Sequence, residues 1–160
     1  MPLLILVADD DPGIRLAVKD FLELAGYSVM TASNGQQAID ILESYHPHLL
    51  ISDIRMPKKD GYQLVLEVRQ RPEFRLLPVV FLTERSSTQE RIRGYQAGCD
   101  IYLPKPFEME ELVAVIRSLL ERSQIIQAEW QYKELLKPNG NTRNYVGKIS
   151  QIYKLKKVHP

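Results

Sequence analysis

Five polar side chains stand at the ends of apolar runs: Asp9 and Asp10 after Leu3–Val7, Asp53 after Leu49–Ile51, Thr83 after Val79–Leu82, and Lys105 just beyond Ile101–Leu103. Brought together, three carboxylates, one ammonium and one hydroxyl suit a hard divalent cation and a phosphoryl group. Magnesium prefers oxygen ligands, and one or two carboxylates with a phosphate oxygen are its usual set. Lys105 would neutralise one phosphoryl oxygen and Thr83 would donate a hydrogen bond to another. The group holds no His or Cys, which argues against zinc. The chain also lacks a glycine-rich phosphate cradle, so the phosphoryl group is expected to arrive on a donor rather than on a held nucleotide. A carboxylate beside a metal can take up a phosphoryl group as an acyl phosphate. Taken singly, Asp53 could be a helix or turn cap, and Lys105 could merely hold the acids in place.

Whether these groups meet depends on the elements that carry them. Leu3–Val7 is continuously apolar, as in a central strand, and Asp9-Asp10-Asp11-Pro12-Gly13 follows it. Three successive carboxylates repel one another unless a cation or basic group lies among them. Pro12 starts a helix to about Ala25, with Ile14, Val18, Phe21 and Leu22 on one face. Tyr27–Ala32 reads as a second strand and Asn34-Gly35 as a turn. Ala38, Ile39, Ile41 and Leu42 then mark a second helix that ends before His46-Pro47. The third strand, Leu49–Asp53, is stopped by Met56-Pro57. A helix at about Tyr62–Gln70, a strand at Pro78–Thr83, a helix at Ser87–Ala97 poor in apolar residues, and a short strand at Asp100–Leu103 complete the pattern. Strand and helix alternate five times over short connections, which predicts an open parallel sheet with helices on both faces. Ligands of such sheets gather outside the carboxyl ends of the strands, where all five polar residues fall.

The composition, 44% hydrophobic and 26% charged, is that of a globular protein rather than a disordered chain. A single cysteine, Cys99, rules out an internal disulfide framework and fits a reducing compartment. No apolar run approaches the roughly 20 residues of a membrane span, and Met1–Ala8 has no basic start, so it reads as a strand and not a signal peptide. The net charge of +1 hides an asymmetry. From residue 137 on there are only basic charges, at Lys137, Arg143, Lys148, Lys154, Lys156 and Lys157, and everything before is net acidic.

The runs Val7-Ala8-Asp9-Asp10-Asp11-Pro12, Ser52-Asp53-Ile54-Arg55-Met56-Pro57, Asp60-Gly61, Phe81-Leu82-Thr83 and Ala97-Gly98-Cys99-Asp100-Ile101-Tyr102-Leu103-Pro104-Lys105-Pro106-Phe107 resemble the receiver domain of two-component response regulators. The resemblance covers residues 3 to about 122, with all landmarks in order. It implies a flavodoxin-like (βα)5 fold, a doubly wound parallel sheet extended here by a long C-terminal helix and a basic tail. It further implies that Asp53 is the phosphoacceptor, charged from a phosphohistidine of a sensor histidine kinase. Asp10 would ligate Mg2+ directly and Asp9 mostly through water, with Asp53 and the backbone carbonyl of Arg55 completing the protein ligands. Thr83 and Lys105 would engage the phosphoryl group, and a cis peptide bond would follow Lys105. Tyr102 matches the aromatic that turns inward when Thr83 moves, altering the surface of the fourth helix, fifth strand and fifth helix. Such a chain is a phosphoacceptor signalling protein rather than an enzyme acting on a separate substrate.

Two features depart from the family pattern. Glu84 stands where a small residue is usual and would repel an anionic donor. Arg55 and Arg85, each two residues beyond a site residue, could fold over the phosphoryl group or simply be solvated.

Glu108 to about Leu136 reads as one helix, with Leu112, Ile116, Leu119, Ile126 and Trp130 at about three-and-a-half residue spacing. The expected organisation is a receiver domain over 1–122, a helical linker over 123–137 able to pair in a homodimer, and a basic tail over 138–160. That tail resembles a remnant of a LuxR-type helix-turn-helix output domain, too short for a complete one. Thr88–Cys99 is similar to cyanobacterial and plastid regulators of that type, pointing to transcriptional control, DNA contact through the tail, and a cytoplasmic or plastid stromal location. Two other functions compete. A magnesium phosphohydrolase would need a proton-donating acid near Asp53 and a substrate pocket; a phosphorylation-independent DNA-binding or scaffold protein would keep the acids as structure only.

Overall fold

A computed structural model describes residues 2–136. Five strands alternate with five helices: β1 Leu4–Ala8, α1 Pro12–Leu24, β2 Ser28–Ala32, α2 Gly35–Tyr45, β3 Leu49–Ser52, α3 Gly61–Gln70, β4 Val79–Thr83, α4 Thr88–Ala97, β5 Ile101–Pro104 and α5 Met109–Leu135. The strands form one parallel sheet in the order β2-β1-β3-β4-β5. The flavodoxin-like doubly wound fold implied by the sequence is therefore the fold observed.

Successive strand residues point to opposite faces, and both faces are covered. Leu6, Leu50, Val79 and Phe81 pack with Leu42, Leu64 and Val68 of α2 and α3, whereas Ile5, Val7, Ile51 and Leu82 pack with Val18 and Leu22 of α1 and Leu112 and Ile116 of α5. This two-sided burial is why the central strands read as unbroken apolar runs; every residue of β3 and β4 is buried.

Side chains of the connecting loops set the helix starts. Asp11 caps α1 by accepting from the backbone N–H groups of Gly13 and Ile14, so the third acid of the Asp9-Asp10-Asp11 run is spent on a helix end. Asn34-Gly35, expected as a free turn, is instead the start of α2, because the Asn34 side chain accepts from Gln37 N–H. Asp60 and Gln63 form a reciprocal capping box on α3. A short 3-10 turn at Pro72–Phe74 was not anticipated; it follows Arg71, whose backbone is extended as a residue before proline requires. Helix α4 buries only Gly94 and Ala97, in line with its sparse apolar content.

The chain divides into two compact units, Met1–Leu120 and Glu121–Pro160. The first holds the sheet and its core. In the second, the described residues continue α5, with Ile126, Trp130, Tyr132 and Leu136 exposed. The basic tail, its DNA contact and its helix-turn-helix resemblance fall on 138–160, outside the described residues. Among those described, no helix is long and apolar enough to cross a membrane.

Candidate functional site

The site lies at the carboxyl ends of β1, β3, β4 and β5, and backbone register brings its members together. Asp53 N–H donates to the carbonyl of Ala8 at 2.8 Å, which ties the end of β3 to the end of β1. Lys105 N–H donates to the carbonyl of Thr83, also at 2.8 Å, which does the same for β5 and β4. The peptide bond after Lys105 is cis. Between β3 and α3 the loop folds back tightly: Gly61 N–H donates to the Ile54 carbonyl at 2.7 Å, and Gly35 N–H at the start of α2 reaches the Lys59 carbonyl at 3.2 Å.

Asp9, Asp10 and Asp53 each offer a carboxylate oxygen within 4.8 Å of the others. Their environments differ. Asp9 is buried, Asp53 half-buried and Asp10 exposed. Asp9 Oδ1 accepts from Asp11 N–H at 2.9 Å and its Oδ2 from Lys105 Nζ at 2.9 Å. Lys105 Nζ lies 3.5 Å from Asp53 Oδ2, and Asp53 Oδ1 accepts from Ile54 N–H at 2.7 Å. One ammonium thus bridges two of the three acids, leaving the Asp10 carboxylate facing an open cleft of about 540 Å³, lined also by Arg55, Thr83, Glu84 and Arg85. An all-oxygen set of this density fits a hard divalent cation, because unlike the softer metals it needs neither nitrogen nor sulfur.

Burial pushes the Asp53 carboxyl above its ordinary value; the Lys105 ammonium opposes this and the Asp9 charge adds to it. For Lys105, burial alone would lower the pKa, but the hydrogen bond to Asp9 and the charges of Asp53 and Asp9 outweigh it, so the ammonium is held more firmly than usual. The sign for stability follows. A carboxyl whose pKa is raised in the folded state stabilises the fold below its unfolded value, near 3.8, and that contribution is lost as pH rises through the folded value. Hence Asp53→Asn raises the metal-free melting temperature at neutral pH, and the gain fades on acidification toward 3.8. Melting curves in chelator across that range test it. A variant that melts below the parent at neutral pH would contradict the assignment.

Thr83 is buried at the floor of the cleft, its Oγ1 accepting from Arg85 N–H at 3.2 Å. Tyr102, matched to the aromatic that turns inward when Thr83 moves, sits inward in this structure: it is 6% exposed and stacks edge-on against Phe81, and its hydroxyl donates to the Arg85 carbonyl. Gly94 makes room for it, since a Cβ there would stand 2.8 Å from the ring.

Arg55 is exposed, whereas Arg85 is half-buried and lines the cleft. Its guanidinium pairs with Glu90 on α4 at 3.6 Å. Glu90 escaped the sequence reading. The spacing Ser87-x-x-Glu90 suggests a reciprocal cap, and Ser87 Oγ does accept from Glu90 N–H. The Glu90 carboxylate, however, turns to Arg85. Tyr62, whose hydroxyl donates to the Glu90 carbonyl, was likewise read only as part of a helix.

Comparison with known proteins agrees with this geometry. The response regulator receiver domain family matches residues 5–117. The response regulator Rre1 of Synechocystis is 49% identical over 124 residues, covering 77% of this chain and 54% of that protein. The chain spans about half the length of the curated relatives it matches. Among solved structures, a response regulator from Chloroflexus aurantiacus is 37% identical at a TM-score of 0.72, covering 75% of this chain and 98% of its own. The receiver domain of a sensor histidine kinase from Pseudomonas aeruginosa, determined with a magnesium ion coordinated in its active-site cleft, is 29% identical at a TM-score of 0.70, covering 75% of this chain and 98% of its own. With the sheet order, the acid cluster and the matched span in agreement, this chain belongs to the response regulator receiver family and carries that domain at residues 5–117.

Proposed function

We propose that the chain is a phosphorylation switch in which Asp53 accepts a phosphoryl group from a phosphohistidine of a sensor histidine kinase. The observation that carries this reading is the meeting of carboxylate oxygens of Asp9, Asp10 and Asp53 within 4.8 Å of one another, with the Lys105 ammonium on Asp9 and Asp53, in a cleft open to a donor. An Asp53 oxygen attacks phosphorus, the phosphorus–nitrogen bond breaks, and the imidazole leaves with the electron pair. The product is an acyl phosphate on Asp53. Asp10, Asp53 and the Arg55 carbonyl would hold Mg2+, with Asp9 contributing through water. The magnesium ion found in the similar Pseudomonas domain supports that choice. Bound there, the cation would neutralise charge on the phosphoryl oxygens. Lys105 pairs with one phosphoryl oxygen and the Thr83 hydroxyl donates to another.

Movement of Thr83 then disturbs Tyr102 and, through it, the face formed by α4, β5 and α5. In this reading the only chemistry is self-phosphorylation and dephosphorylation. Residues 123–137 serve as a linker that pairs with a second copy, supported by the exposed Ile126 and Trp130. The basic segment 138–160 contacts DNA phosphates for transcriptional control.

Incubation with a radiolabelled acyl phosphate and Mg2+ tests the reading. One base-labile phosphoryl group per chain is expected, lost on chelation, without turnover of phosphate esters. Absence of label would favour the scaffold alternative, in which the Lys105–Asp9 pair is purely structural; ester turnover would favour a phosphohydrolase. Glu84 is exposed at the cleft mouth, where its charge opposes an incoming anion. Glu84→Ala is therefore expected to be charged by the acyl phosphate about two- to fivefold faster at low salt, with the advantage shrinking as salt is added. Equal rates at low salt would remove Glu84 from the account.

A further inference from the structure

We propose that Glu90, on the first turn of α4, is a positioning residue that competes with the phosphoryl group for the Arg85 side chain. This role presupposes Asp53 as the phosphoacceptor and deepens that reading. Arg85 lines the same cleft as Asp53, Thr83 and Lys105, yet its guanidinium is drawn toward α4, with Nη1 3.6 Å from Glu90 Oε1. At that separation the two attract one another without a hydrogen bond. Arg85 Nε and Glu90 Oε2 are both buried, and neither has a hydrogen-bond partner. Guanidinium and carboxylate ordinarily meet through two parallel N–H···O bonds, and buried polar atoms are ordinarily satisfied. Here two ideal partners face each other and leave one atom apiece unused.

The main chain on either side is held by other partners. Tyr102 Oη donates to the Arg85 carbonyl, Arg85 N–H is spent on Thr83 Oγ1, Tyr62 Oη donates to the Glu90 carbonyl at 3.2 Å, and Glu90 N–H is spent on Ser87 Oγ. Both main-chain segments are pinned while both side chains stay under-satisfied. A phosphoryl group on Asp53 would bring about −1.5 to −2 charge and three acceptor oxygens into the cleft, against the single charge of Glu90. Arg85 can change partner by rotating its side chain alone. The exchange takes a tether from α4, which buries nothing larger than Gly94 and Ala97, and lays a guanidinium across the path of an attacking water.

Glu90→Gln keeps the size and the main-chain bonds of Glu90 but frees Arg85. Its acyl phosphate is expected to last roughly three- to tenfold longer than the parent's, the effect of one charge-assisted hydrogen bond formed without competition. Arg85→Gln should shorten the lifetime, and the double variant should match Arg85→Gln. In melting curves, a double-mutant cycle should show coupling between residues 85 and 90 with Mg2+ alone and none with Mg2+ and beryllofluoride, a stable phosphoryl mimic. A lifetime indifferent to Glu90, or coupling that beryllofluoride leaves unchanged, overturns the exchange and leaves Asp53 as phosphoacceptor intact. If the parent protein takes no label at Asp53, the phosphoacceptor reading falls and the exchange falls with it.

Discussion

Replacement of Asp53 by Ala is expected to reduce phosphoryl labelling to background, with no slow residual route through a neighbouring acid. The reason lies in how the other carboxylates are used. Asp9 is 3% exposed and both its oxygens are engaged, one by Asp11 N–H and one by Lys105. Asp11 is spent on the start of α1. Asp10 is exposed and, among the described residues, has no ammonium in contact, since Lys105 pairs with Asp9 and Asp53. Of these acids, Asp53 is the one that combines access from the cleft with an adjacent ammonium. Intact-mass measurement after incubation with acyl phosphate and Mg2+ reads the result directly. Label remaining on Asp53→Ala would move the phosphoacceptor elsewhere and undo the role given to Lys105.

The second large effect comes from a residue with no side chain. A Cβ on Gly61 would lie 2.4 Å from the Asp53 carbonyl oxygen, 2.8 Å from Ile54 Cα and 3.0 Å from Phe81 Cε1. Two of these are backbone atoms and cannot swing away. The third belongs to a fully buried ring wedged between Tyr62 and Tyr102. Retreat of the loop would break the bond from Gly61 N–H to the Ile54 carbonyl. Gly61→Ala is expected to cost about 2–3 kcal/mol, the upper range for forcing a methyl group into a packed site. Because the displaced backbone is that of the nucleophile itself, charging should slow by on the order of 10²-fold, as a misplacement near 1 Å does. Denaturant unfolding gives the first number and labelling kinetics in the still-folded fraction the second. Parental values for both would mean that the loop can yield, and that the tight approach of α3 to Asp53 does not position it.

These two cases mark what could be read from the chain alone. Asp53 was legible as the close of an apolar strand run broken by Met56-Pro57; that setting alone left a helix or turn cap open, and the other polar residues at strand ends pointed to a site. Asp9, Asp10, Thr83 and Lys105 were legible for the same reason, since each closes a strand, and in a parallel sheet all strands end on one rim. Gly61 appeared only as half of an Asp-Gly pair. Its importance rests on the approach of one backbone to another, which the pattern of side chains does not record. Asn34 was misread as a turn because Asn favours turns and helix starts alike; the position of Gln37 N–H decided between them. Tyr102 and Glu90 were harder still.

By itself the sequence determined the alternation of strands and helices, the covering of both sheet faces, and the polar rim, because these follow from the periodicity of apolar residues over a few positions. Tertiary structure alone decided which acids Lys105 touches, that Tyr102 sits inward over Gly94, and that Arg85 turns to Glu90 rather than to Asp53. Those outcomes depend on the register between elements far apart in the chain and on rotamers chosen by packing, and both are set only once the sheet has closed around its core.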